Sequence, residues 1–216
     1  MNRHILTLLA IVLWSSFSSG KKEEHFACDA RTFGLDSFES QPSVVSPDGK
    51  KHVQLVRDYT FTVFVGKDRL TTIDIGDLSC CIEVGWSPDS DQFFIMYSDS
   101  GGYALYKTRV YAISGGSISE RAISKQAFED FSSRHSCPAR GPNNLFFLGW
   151  TKGSRNAFLV TEVIPTGDCG KDWGHYEGYL VDGATGSIVR HYGEKQTTRI
   201  EKTCRSVGFL RANTLK

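Results

Sequence analysis

The residues best suited to chemistry or recognition lie in one segment, from Pro165 to Tyr179. It combines aromatic rings with a histidine and two carboxylates, and the candidate binding residues are Asp168, Asp172, Trp173, His175, Tyr176 and Tyr179. Rings beside carboxylates can stack on a sugar or dock a peptide. A segment of this length is too long for a simple hairpin, and long loops on rigid scaffolds often carry recognition. In the structural alternative, Cys169 anchors the loop and Trp173 packs beneath it.

Motifs for catalysis or metal binding are weak in this chain. The sequence has no G-x-S-x-G motif and no C-x-x-C or H-x-x-x-H spacing, and none of its six histidines belongs to a recognisable nucleophile motif. We therefore predict no catalytic residue, no metal and no cofactor. A hydrolytic site assembled from Asp168, Asp172 and His175 is the alternative.

The first 20 residues predict a secretory signal peptide. Arg3 supplies a basic start, the segment from Ile5 to Trp14 is mostly apolar, and the small residues Ser18 and Gly20 suit cleavage after position 20. Ten apolar residues are too few to span a bilayer, which takes roughly 20. We expect export to the periplasm or the extracellular space, and no membrane span after cleavage.

Six cysteines follow the signal sequence, and an even number in an exported chain predicts disulfides. The expected disulfide cysteines are Cys28, Cys80, Cys81, Cys137, Cys169 and Cys204, which allow fifteen pairings. The neighbours Cys80 and Cys81 point to opposite faces if they lie on a strand, so each is expected to find a different partner.

Charge and composition bear on the type of partner and on the secondary structure. The chain carries 25 lysines and arginines against 24 acids. A net charge of this size does not recruit nucleic acid, so we expect no nucleic-acid partner. Twenty-one glycines and an aromatic set of 14 Phe, 8 Tyr and 4 Trp favour strands and tight turns over helices.

The elements that would position these residues come from a repeat. Three units contain the related sequences Ser46-Pro47-Asp48-Gly49, Trp86-Ser87-Pro88-Asp89 and Trp150-Thr151-Lys152-Gly153, each followed by short alternating runs and glycine turns. Ser-Pro-Asp-Gly suits a type I turn, and paired short strands at such spacing predict antiparallel sheet. The equivalent residues Trp86 and Trp150 are expected to be buried between neighbouring units. The insert between the second and third units contains a helical pattern from Ser124 to His135.

The Trp-Ser-Pro-Asp motif, with its following hydrophobic strand, Tyr-rich strand and glycine turns, resembles the TolB-type propeller repeat. That repeat also occurs in the propellers of prolyl-oligopeptidase-like enzymes. The resemblance covers roughly residues 43 to 192 and implies an all-β, propeller-like array of three to four antiparallel four-stranded blades with one short inserted helix. Propellers close with four or more blades, whereas three full units are visible here. It implies little about function, since propellers host unrelated activities.

We divide the chain into a signal peptide (1–20), an irregular N-terminal arm (21–42) tied down by Cys28, and a repeat domain (43–216). At the C-terminus, the sequence Cys204 to Phe209 resembles Cys81 to Trp86. This similarity suggests that a strand over residues 203–210 begins a fourth unit. Coincidence over six positions is the alternative.

Three functional hypotheses follow. The leading one is an exported, non-enzymatic binding or scaffold domain that recognises a protein or glycan partner in the cell envelope. The second is an envelope hydrolase with a site around Asp168 and His175. The third is a structural subunit that pairs, or forms an oligomer, through open sheet edges, because an unclosed sheet presents unpaired backbone groups.

The cysteine assignment is directly testable. Because an exported chain folds in an oxidising compartment, most of the six thiols should be bridged. Thiol titration of the denatured, unreduced protein should find at most two free sulfhydryls. Four or more would contradict the assignment.

Overall fold

The computed structural model describes residues 26–28, 30–33, 41–56, 59–76, 82–98, 106–135, 144–153, 155–163 and 174–204. These residues form a mostly β structure of three antiparallel sheets with two helices and no closed barrel. The predicted signal peptide lies outside the described residues. Among the helices that are described, none has the length and apolarity needed to cross a membrane.

Each of the three sequence units forms one sheet. Sheet I has the order β3-β4-β5-β6, with strands Ser43–Val45, Lys51–Val56, Thr60–Val65 and Asp68–Asp74. Sheet II contains β7-β8-β9-β10, with strands Ile82–Trp86, Gln92–Ser98, Tyr106–Ser114 and Ser117–Arg121. Sheet III contains β11-β12-β13-β14, with strands Asn144–Thr151, Asn156–Glu162, Tyr176–Asp182 and Ile188–Tyr192. The four-stranded antiparallel units predicted from the repeat are confirmed.

Sheet II is the middle layer, and both of its faces are buried. Along β8, Phe94 and Met96 belong to a core shared with sheet III, whereas Phe93 and Ile95 belong to a core shared with sheet I. Successive side chains of a strand point to opposite faces, which explains why β8 is a continuous apolar run. The ring of Phe94 stacks on Phe147 of sheet III with 4.1 Å between centroids.

The N-terminal arm supplies two further strands. β1 (Phe26–Ala27) pairs with β11, and β2 (Arg31–Phe33) pairs with β7, so each adds a fifth strand to its sheet. The sequence predicts an irregular arm here, because runs of two and three residues are too short to show alternation. The arm pairs the free edges of β11 and β7, whose backbone groups would otherwise lack partners.

Two glycines at equivalent repeat positions make room for this arm. A Cβ on Gly149 would stand 2.6 Å from the carbonyl oxygen of Ala27, and one on Gly85 would stand 3.3 Å from the Cα of Ala30. The tryptophan that follows each glycine, Trp86 or Trp150, is buried as predicted, at 8% and 1% exposure. The repeated Gly-Trp pair therefore combines a close backbone crossing with a large buried ring.

The Ser-Pro-Asp turns repeat the same hydrogen bonds. Ser46 Oγ donates to Asp48 Oδ1 at 2.6 Å, and Ser87 Oγ donates to Asp89 Oδ1 at the same distance. Each serine oxygen also accepts a backbone N–H five residues later, at 3.0 and 2.9 Å. In the third unit Lys152 and Gly153 replace proline and aspartate, and Thr151 Oγ1 donates to the carbonyl of Asn156 at 3.3 Å. The side-chain hydroxyl of the first turn residue thus stabilises each Ser-Pro-Asp turn by hydrogen bonds to residues within the turn.

Charged residues join the turns of neighbouring sheets. Asp91 of the second unit lies 3.7 Å from Lys51 of the first and 3.2 Å from Arg155 of the third. Arg155 also contacts Asp89 at 2.7 Å. These partly exposed pairs stabilise weakly one by one, but they connect all three sheets at one end of the molecule.

Two helices pack on sheet III, one more than predicted. The first, α1 (Lys125–Arg134), confirms the predicted helix and buries Ala127 and Phe131. The second, α2 (Glu194–Thr203), buries only Thr197 fully. Sequence reasoning missed it because a single buried threonine leaves no apolar stripe to detect. The predicted one-helix architecture is therefore corrected to two.

A disulfide joins Cys28 of the arm to Cys204, the residue that caps α2. The two cysteines are 176 positions apart. In the chain-entropy model, closing a loop of that size lowers the entropy of the unfolded chain and raises the free energy of unfolding by about 5 kcal/mol. This bond confirms the expectation that Cys28 ties down the arm. Cys204 ends a helix, although the sequence suggests that it enters a strand. The other four cysteines and residues 205–210 lie outside the described residues.

The crossing at Gly149 predicts a specific sensitivity. Gly149→Ala should destabilise the fold by about 1 to 3 kcal/mol, because the new methyl group displaces the arm backbone. Gly193→Ala is the matched control, since Gly193 has a φ of −68° and a Cβ there would have no atom within 4 Å. Urea unfolding measures both variants. Equal losses would contradict the role of Gly149.

Candidate functional site

A group of polar side chains meets where α1 ends against sheet III. We call it the Glu177 cluster, and its members are Asp130, Arg134, His135, His175, Glu177, Tyr179 and His191. Glu177 and Tyr179 share one face of β13 because they are two residues apart, and Tyr179 lies opposite His191 of β14. Arg134 and His135 reach this face from the last turn of α1 and its C-cap.

Glu177 is the centre of the cluster and is largely buried, with 9% of its side chain exposed. Its Oε1 lies 3.2 Å from His135 Nε2 and 3.6 Å from His175 Nε2. Its Oε2 lies 2.8 Å from Arg134 Nη2 and 3.0 Å from His191 Nε2. A buried carboxylate needs such partners, because an unpaired charge is costly away from water.

The electrostatic environment keeps Glu177 ionised. Burial alone raises the pKa of its carboxyl, but the contact with His135 and the charges of Arg134 and His191 outweigh burial. The pKa of Glu177 therefore lies below its ordinary value of 4.5. The pKa of Arg134 is raised: burial lowers it, and Asp130, Tyr179 and Glu177 more than compensate.

Tyr179, a predicted binding residue, has a fully buried side chain. Its hydroxyl donates to Asp130 Oδ2 at 3.0 Å and contacts Glu177 Oε2 at 3.2 Å, while Arg134 donates to the hydroxyl oxygen. Burial, followed by the hydrogen bond to Asp130, raises the pKa of Tyr179 well above its usual range. The phenol therefore remains a hydrogen-bond donor inside the cluster, with no ring face open for stacking.

The remaining described candidates, His175 and Tyr176, connect sheet III to α2. Nδ1 of His175 lies 3.3 Å from Glu194 Oε2, and the hydroxyl of Tyr176 lies 2.5 Å from Thr198 Oγ1. Asp168, Asp172 and Trp173 lie outside the described residues. The structure thus brings together His175 and Tyr179 and places Tyr176 on the neighbouring helix contact.

Sequence reasoning missed His135, Glu177, His191 and Arg134. Glu177 lies in the segment Pro165 to Tyr179, which the sequence predicts as a loop, whereas the structure places Glu177 and Tyr179 on one strand, β13. No residue spacing in the sequence indicates that the end of the inserted helix, which lies between the second and third units, contacts a strand of the third unit. This meeting is a tertiary contact between residues more than 40 positions apart.

A separate cavity of about 490 Å³ opens where the three sheets converge. We call it the inter-sheet cavity, and its lining is Ala27, Arg31, Val44, Val45, Pro47, Trp86, Pro88, Lys152 and Gly153. It therefore joins β1 and β2 of the arm to β3 and to the turns that follow β7 and β11. The described part of the lining combines apolar side chains with two cationic ones, and no carboxylate is among these described residues.

The lowered pKa of Glu177 predicts how stability depends on pH. An ionised group with a depressed folded pKa stabilises above its ordinary value, here 4.5, and loses that contribution as pH falls below it. Glu177→Gln should cost about 1 to 3 kcal/mol at pH 7, because it leaves charged partners unpaired, and less at pH 3. Urea unfolding at both pH values tests this.

Glu120→Gln is the control for that experiment. Glu120 pairs with Arg109 but is 48% exposed, so its loss should cost less than about 1 kcal/mol at pH 7. If the two variants show the same pH dependence, the role assigned to Glu177 is wrong.

No protein-family model matches this chain, and no curated protein is significantly similar to it. A fold alone does not define a function. The function must therefore be inferred from the chain's own sites.

Proposed function

We propose that this chain is an exported, non-enzymatic binding domain of propeller-like, TolB-type architecture, and that the inter-sheet cavity is its binding site. The ligand that fits best is a peptide segment with a carboxylate beside an apolar side chain. The observation that carries this proposal is the cavity itself, which places two cations beside an apolar wall.

The two cations are Arg31 and Lys152, both exposed. Among the described residues, no carboxylate lies within ion-pair distance of either one. A guanidinium recognises a carboxylate through two parallel hydrogen bonds, and an ammonium adds a point charge. A ligand carboxylate would therefore supply the negative charge that the cavity lacks.

The apolar wall favours a peptide over a glycan. Val45 is 56% exposed at the cavity, an unusual exposure for a large aliphatic side chain in this molecule. Glycan sites use open aromatic faces, but the Trp86 ring is almost covered and its Nε1 donates to the Val44 carbonyl at 3.0 Å. The wall thus offers aliphatic and proline surface rather than a stacking platform.

The architecture supports this interpretation without identifying a family. Equivalent serine-closed turns and buried tryptophans recur in successive sheets, as a propeller-like repeat requires. The turns that follow β7 and β11 both contribute to the cavity, in keeping with the tendency of rigid scaffolds to bind through their loops. The disulfide between Cys28 and Cys204 is compatible with export, because such bonds persist in oxidising compartments.

The other two hypotheses gain less support. In a hydrolase, His175 would need a nucleophile beside it, but among the described residues its ring nitrogens face the carboxylates of Glu177 and Glu194 and no hydroxyl or thiol. For a subunit that pairs through open edges, the inner edges of sheets II and III are already covered by β2 and β1.

Peptide binding tests the proposal. Short fluorescent peptides ending in Val, Leu or Phe, with either a free or an amidated C-terminus, are titrated into the mature protein and followed by anisotropy. Free-acid peptides should bind at least about tenfold more tightly than amidated ones, since a hydrogen bond to a charged group contributes roughly 1.5 to 3 kcal/mol. Binding should also weaken with salt.

Arg31→Ala and Lys152→Ala should each remove most of the preference for the free acid. Lys125→Ala is the control, because Lys125 lies on α1 with 72% of its side chain exposed. Two results would contradict the proposal: neutral oligosaccharides that bind equally well to all three variants, or no difference between free and amidated peptides.

A further inference from the structure

Three metal-ligating side chains converge in the Glu177 cluster, independently of the inter-sheet cavity. One donor atom each from His135, His175 and Glu177 lie within 4.8 Å of one another. They come from three places in the chain: the C-cap of α1, the residue before β13, and β13 itself. Two imidazoles and one carboxylate are a common ligand set for zinc in proteins.

The distances suit one small ion. A tetrahedral zinc with bonds of about 2.0 to 2.1 Å holds its ligand atoms about 3.3 to 3.4 Å apart. Glu177 Oε1 lies 3.2 Å from His135 Nε2 and 3.6 Å from His175 Nε2, on either side of that spacing. The third edge is within 4.8 Å. Closing it needs a movement of roughly 1 Å by the ring of His175, which is 31% exposed and free to adjust.

One buried polar atom at this point has no hydrogen-bond partner among the described residues. Nε2 of His135 is buried and has no well-aligned hydrogen bond among the described residues, although it lies 3.2 Å from Glu177 Oε1. An unprotonated imidazole nitrogen and a carboxylate oxygen are both acceptors, so a cation between them satisfies both. Arg134 Nη1 also donates to Oε1 at 3.1 Å, which leaves the second lone pair of that oxygen for an ion between the two rings.

The surroundings orient each ligand. Nδ1 of His175 faces Glu194 Oε2 at 3.3 Å, so a carboxylate stands behind the imidazole that would bind the ion. Such a carboxylate–histidine pair is the usual outer support of a protein-bound metal. The second oxygen of Glu177 is held by Arg134 and His191, at 2.8 and 3.0 Å, which turns the first oxygen toward the rings.

We propose that His135, His175 and Glu177 bind one divalent transition-metal ion of the zinc type. Mixed nitrogen and oxygen ligands favour zinc and its neighbours over calcium or magnesium, which prefer oxygen alone. Three protein ligands leave a fourth position for water or another ligand. This assignment replaces the metal-free prediction, which relied on sequence spacing and could not detect ligands from separate elements.

Zinc titration of the oxidised, untagged mature protein tests the assignment, with free thiols blocked so that cysteines do not bind the metal. The metal-stripped protein should bind one Zn²⁺ per chain by calorimetry. His175→Ala should weaken binding more than about 100-fold, and Glu194→Gln, which alters only the outer support, by about 10- to 100-fold. Circular dichroism should show that both variants remain folded.

His52→Ala is the matched histidine control. His52 lies on β4 of sheet I and stacks on Phe64, so its loss should leave zinc binding unchanged. Co²⁺ provides a second readout, because the intense d–d bands of a four-coordinate site should appear in the wild type and disappear in His175→Ala. Fewer than one bound zinc ion per chain, equal affinity in wild type and His175→Ala, or a six-coordinate Co²⁺ spectrum would each overturn the proposal.

Discussion

The structure depends on one crossing of backbones, where the N-terminal arm passes between sheets II and III. Gly85 and Gly149 have no side chain at this point: a Cβ on Gly149 would stand 2.6 Å from the carbonyl oxygen of Ala27, and one on Gly85 would stand 2.6 Å from the Phe94 ring and 3.3 Å from the Cα of Ala30. At the crossing, the arm pairs with the inner edge strand of each sheet and gives the backbone N–H and C=O groups there hydrogen-bond partners. It also places Arg31 at the cavity and Cys28 beside the end of α2. Both the inter-sheet cavity and the disulfide depend on this contact.

The two proposed sites differ in how they are built. The inter-sheet cavity lies at strand ends and turns, so it draws residues from all three sheets and from the arm. The Glu177 cluster lies on the outer part of sheet III, where the two helices pack. A buried carboxylate surrounded by cationic and polar groups holds those helices, and the same arrangement creates the donor set for a metal ion.

The local pattern of the sequence was enough to predict the strands and turns. Ser46 and Ser87 mark turns whose hydrogen bonds depend on residues within five positions, and the alternation after them is a local property. Phe131 likewise revealed α1 through helical spacing. The features that could be predicted are therefore those that residues close together in the sequence determine.

The sites could not be predicted, because they depend on distant contacts. α2 packs through Thr197 over Gly178, a contact without an apolar signature. Arg134 meets Glu177 across 43 positions, and Arg31 of the arm lines the same cavity as Lys152 of the third unit. His175 was selected from composition alone. Its actual partners, Glu177 and Glu194, are defined by the register of β13 and by a helix that the sequence did not reveal.

The position of the arm also sets the order in which the chain can fold. Residues 26–33 are synthesised first, but β11 and Cys204, which receive them, come about 120 to 180 residues later. At ribosomal rates of 5 to 20 residues per second, the arm waits roughly 10 to 35 s for its last partner. Sheet I is local and can form during this time, and β2 can pair with β7, which follows it by about 50 residues, whereas sheet III keeps an open inner edge until β1 docks. Docking of β1 is therefore a late step with a large loop to close, and the disulfide can form only after Cys204 has been synthesised.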